Sequence, residues 1–267
     1  MAVIDTFTTD TGTLVIGTSS RTDGDMRREN ATRHQAVANR SRFIAGCGLA
    51  HRPVTYVPAS HSPNVAVVSR APGHIFHDIH VRVPRVHADF TYYLDGFDGV
   101  LSRERERAVG LVTGDCIPLT LWSNTTPFHG VIHIGLLGAL NRTAVNAVEV
   151  AVAIGHPTAD LECYLGAAVG QSQYDLSRSG LWTAIEADAY SNAPEVEHYQ
   201  VQDGRSLKMD LVGMVRDQLA AASIPAARIH ALADGAAGRD ARFFSHSADT
   251  SSGLLPTRRL MTVVGYL

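Results

Sequence analysis

Three residues in one short stretch of the chain have side chains that can do chemistry. The run LVTGDCIPLTLWSNTTPFHGVIHIG, residues 111–135, is typical of two apolar strands around a polar turn. Asp115 and Cys116 lie in its first half and His133 in its second. Buried strands usually exclude such side chains. Their presence indicates either that their polar groups are hydrogen-bonded within the core or that they form a functional site.

The spacing predicts how close Cys116 and His133 lie. If the two strands form an antiparallel hairpin centred between Asn124 and Thr125, Cys116 is directly opposite His133. Opposed side chains in such a ladder have Cβ atoms about 4.5–5.5 Å apart. A slip of one residue on one strand would place the two side chains on opposite faces of the sheet.

Such a pair has three interpretations. A thiolate and a neutral imidazole are good ligands for zinc or copper. Alternatively, the histidine can deprotonate the thiol and make it a nucleophile. The third interpretation is structural, with a buried cysteine beside a hydrogen-bonded core histidine. Spacing alone leaves all three open.

Two loops have the composition of an anion site. After His133 the chain runs through the turn Gly135–Gly138 into a predicted helix, with Arg142 in its first turn. Free backbone N–H groups at such a turn attract anions. The polar loop at 18–24 carries Arg21, whose guanidinium can bind a phosphate or a carboxylate. A structural turn and a solvated arginine are the alternatives.

The elements that must position these residues alternate along the chain. Short apolar runs that end at Gly, Pro, Asn or Asp predict strands at 13–17, 54–57, 64–69, 78–83, 109–112, 118–122, 130–134, 162–169, 196–201, 228–232 and 260–267. Apolar residues at helical spacing predict helices at 30–45, 139–154, 181–190 and 210–222. Many strands with few helices indicate an α+β fold, with mixed or antiparallel sheets flanked by helices. We expect one domain over residues 1–267, with the loop 234–256 at the surface.

Composition excludes several classes of function. The chain has 267 residues, is 45% apolar and carries a formal net charge of −3 without a basic run, which argues against nucleic-acid binding. Its three cysteines are far apart and argue against a disulfide framework. We find no apolar stretch of about 20 residues and no signal-peptide pattern, so we expect a cytoplasmic protein that has no membrane partner.

The order of the motifs resembles the laccase-domain family, once called multicopper polyphenol oxidases and now regarded as purine nucleoside phosphorylases with adenosine deaminase activity. The family motifs T-A-D-C-x-P and H-A-G-W-R-G are similar to Thr113–Pro118 and His133–Gly138. Shorter matches follow in the family's order: S-T-R-x-G-G resembles residues 19–24, N-R resembles Asn39-Arg40, Q-V-H resembles residues 59–61, D-L resembles Asp210-Leu211 and F-F-S-Y-R resembles residues 243–247.

The resemblance implies a metalloenzyme that acts on a purine nucleoside or a related small molecule, by phosphorolysis or hydrolytic deamination. The family's metal ligands correspond to His61, Cys116 and His133, and the metal would be zinc, with copper as the alternative. Three ligands with an open fourth position suit a catalytic zinc. Asp115 would act as an acid or base or orient a ligand.

For phosphorolysis, phosphate is the second small molecule that the site must hold. We expect Arg21, Gly135, Gly138 and Arg142 to bind it, because these residues form the two loops with the composition of an anion site.

The chain departs from the family beside the predicted metal ligands. The Trp and Arg of H-A-G-W-R-G are Leu136 and Leu137, and the Gln of Q-V-H is Ala59. The Tyr-Arg pair of F-F-S-Y-R is His246-Ser247. A guanidinium is exchanged for an isobutyl group, which makes the pocket more apolar. This pattern predicts a member redirected to another substrate, as in specialised metabolism, or one that has lost the purine activity.

Other functions compete with this prediction. A metal-free cysteine hydrolase or transferase would use Cys116 as nucleophile and His133 as base, and would leave His61 without a role. The family fold is similar to that of bacterial deamidating toxins that use such a pair. A non-catalytic protein would bind a ligand without turnover. Phenol oxidation is least favoured, because no methionine lies close to Cys116 in the sequence.

Overall fold

Two mixed β-sheets form the body of the protein in the computed structural model, which describes residues 1–27, 33–69, 85–86, 92–93, 96–176, 194–232 and 240–267. The strands are β1 (Val3–Thr9), β2 (Gly12–Thr18), β3 (Val54–Val57), β4 (Val65–Val68), β5 (Arg85–Val86), β6 (Tyr92–Tyr93), β7 (Gly99–Ser102), β8 (Ala108–Thr113), β9 (Ile117–Ser123), β10 (His129–Ile134), β11 (Leu161–Leu165), β12 (Gln200–Asp203), β13 (Ser206–Met209), β14 (Ile229–Ala231) and β15 (Leu260–Tyr266).

The strand order shows how each sheet is assembled. The larger sheet has the order β1-β2-β15-β8-β3-β6-β5, and the second has the order β14-β11-β9-β10-β7-β4. Parallel pairs occur in both, as between β3 and β8 and between β4 and β7, while most other pairs are antiparallel. β12 and β13 form a separate hairpin. The sheets are therefore mixed, as the sequence predicts.

Helices cover the outer faces of the two sheets. They are α1 (Arg33–Gly46), α2 (Leu136–Leu140), α3 (Thr143–Ala153), α4 (Leu211–Ala221) and α5 (His246–Ser251). α4 begins where Asp210 accepts a 2.8 Å hydrogen bond from the backbone N–H of Gly213, which is a typical N-cap. None of the helices in the described ranges has the length and hydropathy of a membrane span.

Alternation along the strands separates the core into layers. In β2, Leu14 and Ile16 pack between the two sheets with Trp122, while Val15 packs with Phe43 of α1 on the opposite face. This period of two is the expected behaviour of a strand that is buried on both sides. A third cluster joins the second sheet to α3 and α4. The predicted α+β class with helix-flanked mixed sheets is confirmed.

Several predicted elements differ from the observed ones. The helix predicted at 139–154 is two helices, because Arg142 has φ of 55° and interrupts the helical hydrogen bonding between α2 and α3. Residues predicted as a strand at 196–201 form a 3-10 helix at Pro194–Tyr199 before β12 begins. The strand predicted at 78–83 and the helix predicted at 181–190 lie outside the described residues.

The predicted register of the β9–β10 hairpin is wrong by two residues. His133 pairs with Pro118 rather than with Cys116. The turn is centred one residue later than assumed, between Thr125 and Thr126, and the Ser123 hydroxyl accepts hydrogen bonds from the backbone N–H groups of both residues. Since a strand repeats every two residues, the shift keeps Cys116 on the side that faces His133.

The buried residue His129 in β10 makes the stability of the protein depend on pH. Its Nε2 lies 2.9 Å from the carbonyl of Arg107, and burial lowers its pKa from 6.5 to about 4. At a pH between these two values, His129 is protonated in the unfolded chain but neutral in the folded protein. The free energy of unfolding should therefore fall as the pH is lowered from 6.5 towards 4.

A His129→Gln variant can keep the hydrogen bond to Arg107 but cannot titrate. We expect the wild-type protein to lose about 2–3 kcal/mol relative to this variant between pH 7.5 and pH 4.5. Urea unfolding of both proteins at the two pH values measures the difference. A stability gap that does not change with pH would contradict the prediction.

Candidate active site

A cavity of about 780 Å³ lies where β9 begins and β10 ends. Its volume is within the range of about 300–1,000 Å³ that is typical of small-molecule sites. Four residues singled out from the sequence line it, and the two leucines that replace the family's Trp-Arg pair line it as well: His61, Asp115, Cys116, His133, Leu136 and Leu137. The structure thus brings the predicted catalytic and metal-binding side chains to one place.

A buried carboxylate lies behind two of the cavity's histidines, His61 and His133. The Asp98 Oδ1 atom lies 2.6 Å from His133 Nδ1, and both side chains are buried. Asp98 also accepts hydrogen bonds from the backbone N–H groups of His61 and Ser62, at 3.0 and 2.6 Å, and from the Ser60 hydroxyl at 3.0 Å. One carboxylate therefore fixes both the β10 histidine and the loop that carries His61.

His133 connects this carboxylate to the thiol. Burial by itself would lower the pKa of His133, but the neighbouring Cys116 and Asp98 outweigh that effect and raise the pKa to about 9. His133 and Ser62 in turn lower the pKa of Asp98 against the effect of burial. The result is a continuous array from carboxylate through imidazole to sulfur.

His61 reaches the cavity from the loop after β3. Both Ala59 and His61 have φ near 60°, in the left-handed region, so the loop turns sharply. The ring centroids of His61 and His133 are 4.9 Å apart. Although His61 is exposed as a residue, desolvation of its ring and the neighbouring His133 lower its pKa, which favours the neutral imidazole.

Gly135 leaves space between the converging side chains. A Cβ atom at this position would lie 3.0 Å from Cys116 Sγ and 3.0 Å from His61 Nδ1. Any larger residue would therefore fill the gap between the sulfur and the imidazole.

The donor set fits a metal ion by its chemistry. Two imidazoles and a thiol suit zinc or copper, and the hydrogen bond from Asp98 orients His133 as an outer partner of a ligand does. In the side-chain conformations present, no three His, Cys, Asp or Glu residues of the described ranges are grouped as metal ligands.

Asp115 is held by the opposite side of the cavity. Its Oδ2 atom accepts hydrogen bonds from the backbone and the hydroxyl of Ser247, at 2.7 and 2.6 Å. Its Oδ1 atom is buried and has no hydrogen-bond partner among the described residues. The backbone at Asp115 has φ of 100°, a strained conformation for a residue with a side chain.

The residues predicted to bind phosphate are dispersed. The Nε atom of Arg21 donates to the carbonyl of Phe243 at 2.9 Å, and the guanidinium lies over the Phe244 ring. Arg142 is exposed at the start of α3, and Gly138 is buried within α2. Neither arginine lines the cavity. Of these predicted residues, Gly135 is the one that contacts the Cys116 and His61 side of the site.

Sequence reasoning missed Asp98 and several basic and aromatic residues of the cavity. The available signal for Asp98 was an acid directly before the apolar strand β7. The other missed residues come from segments far apart in the chain: Arg27, Arg40, Tyr56, Tyr174, Lys208 and Arg259.

The protein is built from two mixed sheets and has a cavity whose volume is typical of small-molecule sites. A model of the family described as multi-copper polyphenol oxidoreductase laccase matches residues 7–265. The chain therefore belongs to this family, and the resemblance noted in the sequence is confirmed.

Individual relatives are similar over part or all of the chain. A purine nucleoside phosphorylase of Mycobacterium tuberculosis is 28% identical over 140 residues, which are 52% of this chain and 49% of that protein. Adenosine deaminase RL5, from an unknown prokaryotic organism, is 26% identical over 138 residues, 51% of each chain. The chain thus spans about half the length of these curated relatives. The crystal structure of the hypothetical protein YfiH from Bacillus licheniformis has a TM-score of 0.75 at 18% identity, covers 95% of this chain and 93% of its own, and shows the same fold.

The link from Asp98 to His133 can be tested directly. An Asp98→Asn variant keeps the shape of the side chain but removes its charge, so the pKa of His133 should fall below about 9 by at least roughly one unit. NMR titration of the His133 imidazole in both proteins, each freed of metal by chelation, measures this shift. Asp240→Asn, at the exposed pair with Arg242, is the control. An unchanged His133 pKa in Asp98→Asn would contradict the array described here.

Proposed function

We propose that this protein is an enzyme that acts on a purine nucleoside or a related small molecule, by phosphorolysis or hydrolytic deamination. The observation that carries the proposal is the array of Asp98, His133 and Cys116 beside His61, next to a cavity with a volume typical of small-molecule sites. The names of the relatives, a nucleoside phosphorylase and an adenosine deaminase, support the substrate class.

We further propose that His61, Cys116 and His133 hold a divalent metal ion, zinc in the first instance and copper as the alternative. Such an ion would supply Lewis acidity to the site. Asp98 would keep His133 in the tautomer whose Nε2 is free, because Nδ1 is engaged with the carboxylate.

The remaining residues of the cavity have separate tasks in this proposal. The unpartnered Oδ1 atom of Asp115 accepts a hydrogen bond from an N–H or O–H group of the substrate. Tyr56 and Tyr174 offer aromatic surface to a purine ring. Leu136 and Leu137 make one wall apolar and exclude water there, which favours a substrate with an apolar group at that position.

A second candidate function is a metal-free cysteine hydrolase or transferase. The order of a carboxylate hydrogen-bonded to an imidazole that has a thiol as its neighbour is that of a catalytic triad, and this arrangement favours the candidate specifically. In this case Cys116 attacks an electrophilic carbon, His133 takes the thiol proton and returns it to the leaving group, and Asp98 orients the imidazole.

Turnover of nucleosides tests the proposed function. We expect wild-type protein to convert adenosine or inosine, with phosphate dependence if the reaction is phosphorolysis, and Cys116→Ala to lose at least about 100-fold in kcat/KM. Chromatographic detection of the free base, the sugar phosphate and the deaminated nucleoside identifies the reaction. Absence of all these products from wild-type protein, with and without phosphate and with added zinc or copper, would refute the proposal.

A His61→Ala variant separates the metal enzyme from the cysteine hydrolase. Since the triad does not include His61, only the metal enzyme requires it. We expect bound metal to fall from about one ion per chain to near zero and turnover to fall at least about 100-fold. Mass spectrometry of metals in protein purified without added metal gives the first readout.

The control for this variant is His51→Ala, which removes an exposed histidine outside the cavity. Full activity of His61→Ala, or of wild-type protein after its metal is removed, would favour the metal-free alternative.

A further inference from the structure

One wall of the cavity carries an excess of positive charge. Four basic side chains line the cavity against two carboxylates, those of Asp115 and Asp175. Lys208 lies 3.8 Å from Asp175, so these two groups offset each other. The remaining basic residues, Arg27, Arg40 and Arg259, are called here the arginine wall.

A short segment of the chain holds the arginine wall together. The carbonyl of Met26 accepts a hydrogen bond from Arg40 Nη1 at 3.3 Å, and the backbone N–H of Met26 donates to the carbonyl of Arg259 at 3.2 Å. The backbone N–H of Arg259 donates to Asp25 Oδ1 at 3.0 Å. The three arginines are thus fixed around residues 25–27, although they come from distant parts of the sequence.

The charges of the arginine wall are only partly compensated. Arg27 forms an ion pair with Asp25 at 2.7 Å. Within the described residues, neither Arg40 nor Arg259 forms an ion pair with a carboxylate, and Arg40 is only 5% exposed. A buried cation that has no anionic partner costs free energy, part of which a bound anion would recover.

Arg259 lies beside the reactive residues. Burial and the nearby Arg27 lower the pKa of Arg259, against the opposing influence of Asp115 and Cys116. A Cβ atom at Gly114, directly before Asp115, would lie 3.0 Å from Arg259 Cδ. The absence of a side chain at position 114 therefore lets the arginine pack against the chain segment that carries Asp115 and Cys116.

The hydrogen-bond partners of Arg259 leave part of its guanidinium available. Nη1 donates to the Thr257 hydroxyl at 2.6 Å and to the carbonyl of Arg258 at 3.1 Å. Nη2 is 3.5 Å from His246 Nδ1, at the limit of a hydrogen bond. Nη2 can therefore donate to an anion in the cavity, as a guanidinium does to phosphate.

We propose that the arginine wall is the phosphate subsite of this enzyme, with Arg259 as its principal ligand-binding residue. This inference rests on the proposed function for the nucleoside part of the substrate. The phosphate is either the inorganic co-substrate of phosphorolysis or the phosphoryl group of a nucleoside monophosphate. The wall takes the role that the sequence assigned to Arg21 and Arg142, which lie outside the cavity.

Isothermal titration calorimetry with inorganic phosphate tests the subsite, using protein from which metal has been removed by chelation and dialysis. We expect Arg259→Gln to weaken phosphate binding at least tenfold, and Arg259→Lys to weaken it less because the charge is kept. Arg27→Gln should also weaken it and gives a second variant if Arg259→Gln does not fold. Arg216→Gln, on the exposed side of α4, is the matched control and should bind as the wild type does.

Comparison of adenosine 5′-monophosphate with adenosine distinguishes the two sources of phosphate. A monophosphate that binds wild type at least tenfold more tightly than adenosine, with the gain lost in Arg259→Gln, identifies a nucleotide substrate. If the monophosphate and adenosine bind equally tightly and free phosphate binds as well, the subsite holds the inorganic phosphate co-substrate of phosphorolysis. Both results support the subsite.

Three results would overturn the inference. The first is that neither phosphate nor the monophosphate's phosphoryl group contributes to binding in the wild type. The second is equal binding by wild type and the folded wall variants. The third is a larger loss in Arg21→Gln or Arg142→Gln than in Arg259→Gln. Phosphate binding that depends on Arg259, without turnover of any nucleoside, would refute the proposed function and leave the subsite standing.

Discussion

The hydrogen bond between Asp98 and His133 is the interaction on which the site depends. It is 2.6 Å long and buried from water between two neighbouring strands of the second sheet. Removing one partner of such a buried charged pair typically costs about 3–5 kcal/mol, because the other is left uncompensated. The remaining hydrogen bonds to Asp98 come from the His61 loop, so the same carboxylate positions residues from both sides of the cavity.

The site joins a rigid part and a divergent part of the structure. His133 is fixed within β10, and Cys116 directly precedes its partner strand β9, so the sheet sets their mutual placement. The surrounding wall is built from loops and from α2 and α5, where the Leu136-Leu137 pair and residues 246–247 differ from the family motifs. When the reactive residues stay in place and the residues around them change, the same fold can accept a different substrate, because specificity depends on the contacts around the reacting atoms.

Local patterns in the sequence predicted the part of the site that is local in the chain. The pattern of one hairpin predicted that Cys116 and His133 lie close together. The register was wrong by two residues, but this prediction was unaffected because the two faces of a strand alternate with a period of two. His61 came only from the family resemblance. Asp98 and Arg259 were not predicted, since the contact of Asp98 with His133 and the position of Arg259 in the cavity wall both depend on long-range packing that no periodicity encodes. The break at Arg142 was missed because the apolar spacing continues across it.

The loop that carries His61 has a thermodynamic consequence of its own. Two of its residues, Ala59 and His61, adopt left-handed backbone conformations that are unfavourable for side-chain-bearing residues, each costing of the order of 1 kcal/mol or more. The acceptor that holds this loop in place is the Asp98 carboxylate. Assembly of the centre is therefore cooperative: if Asp98 turns away, the loop relaxes to an ordinary conformation and the imidazole at position 61 leaves together with the orientation of His133.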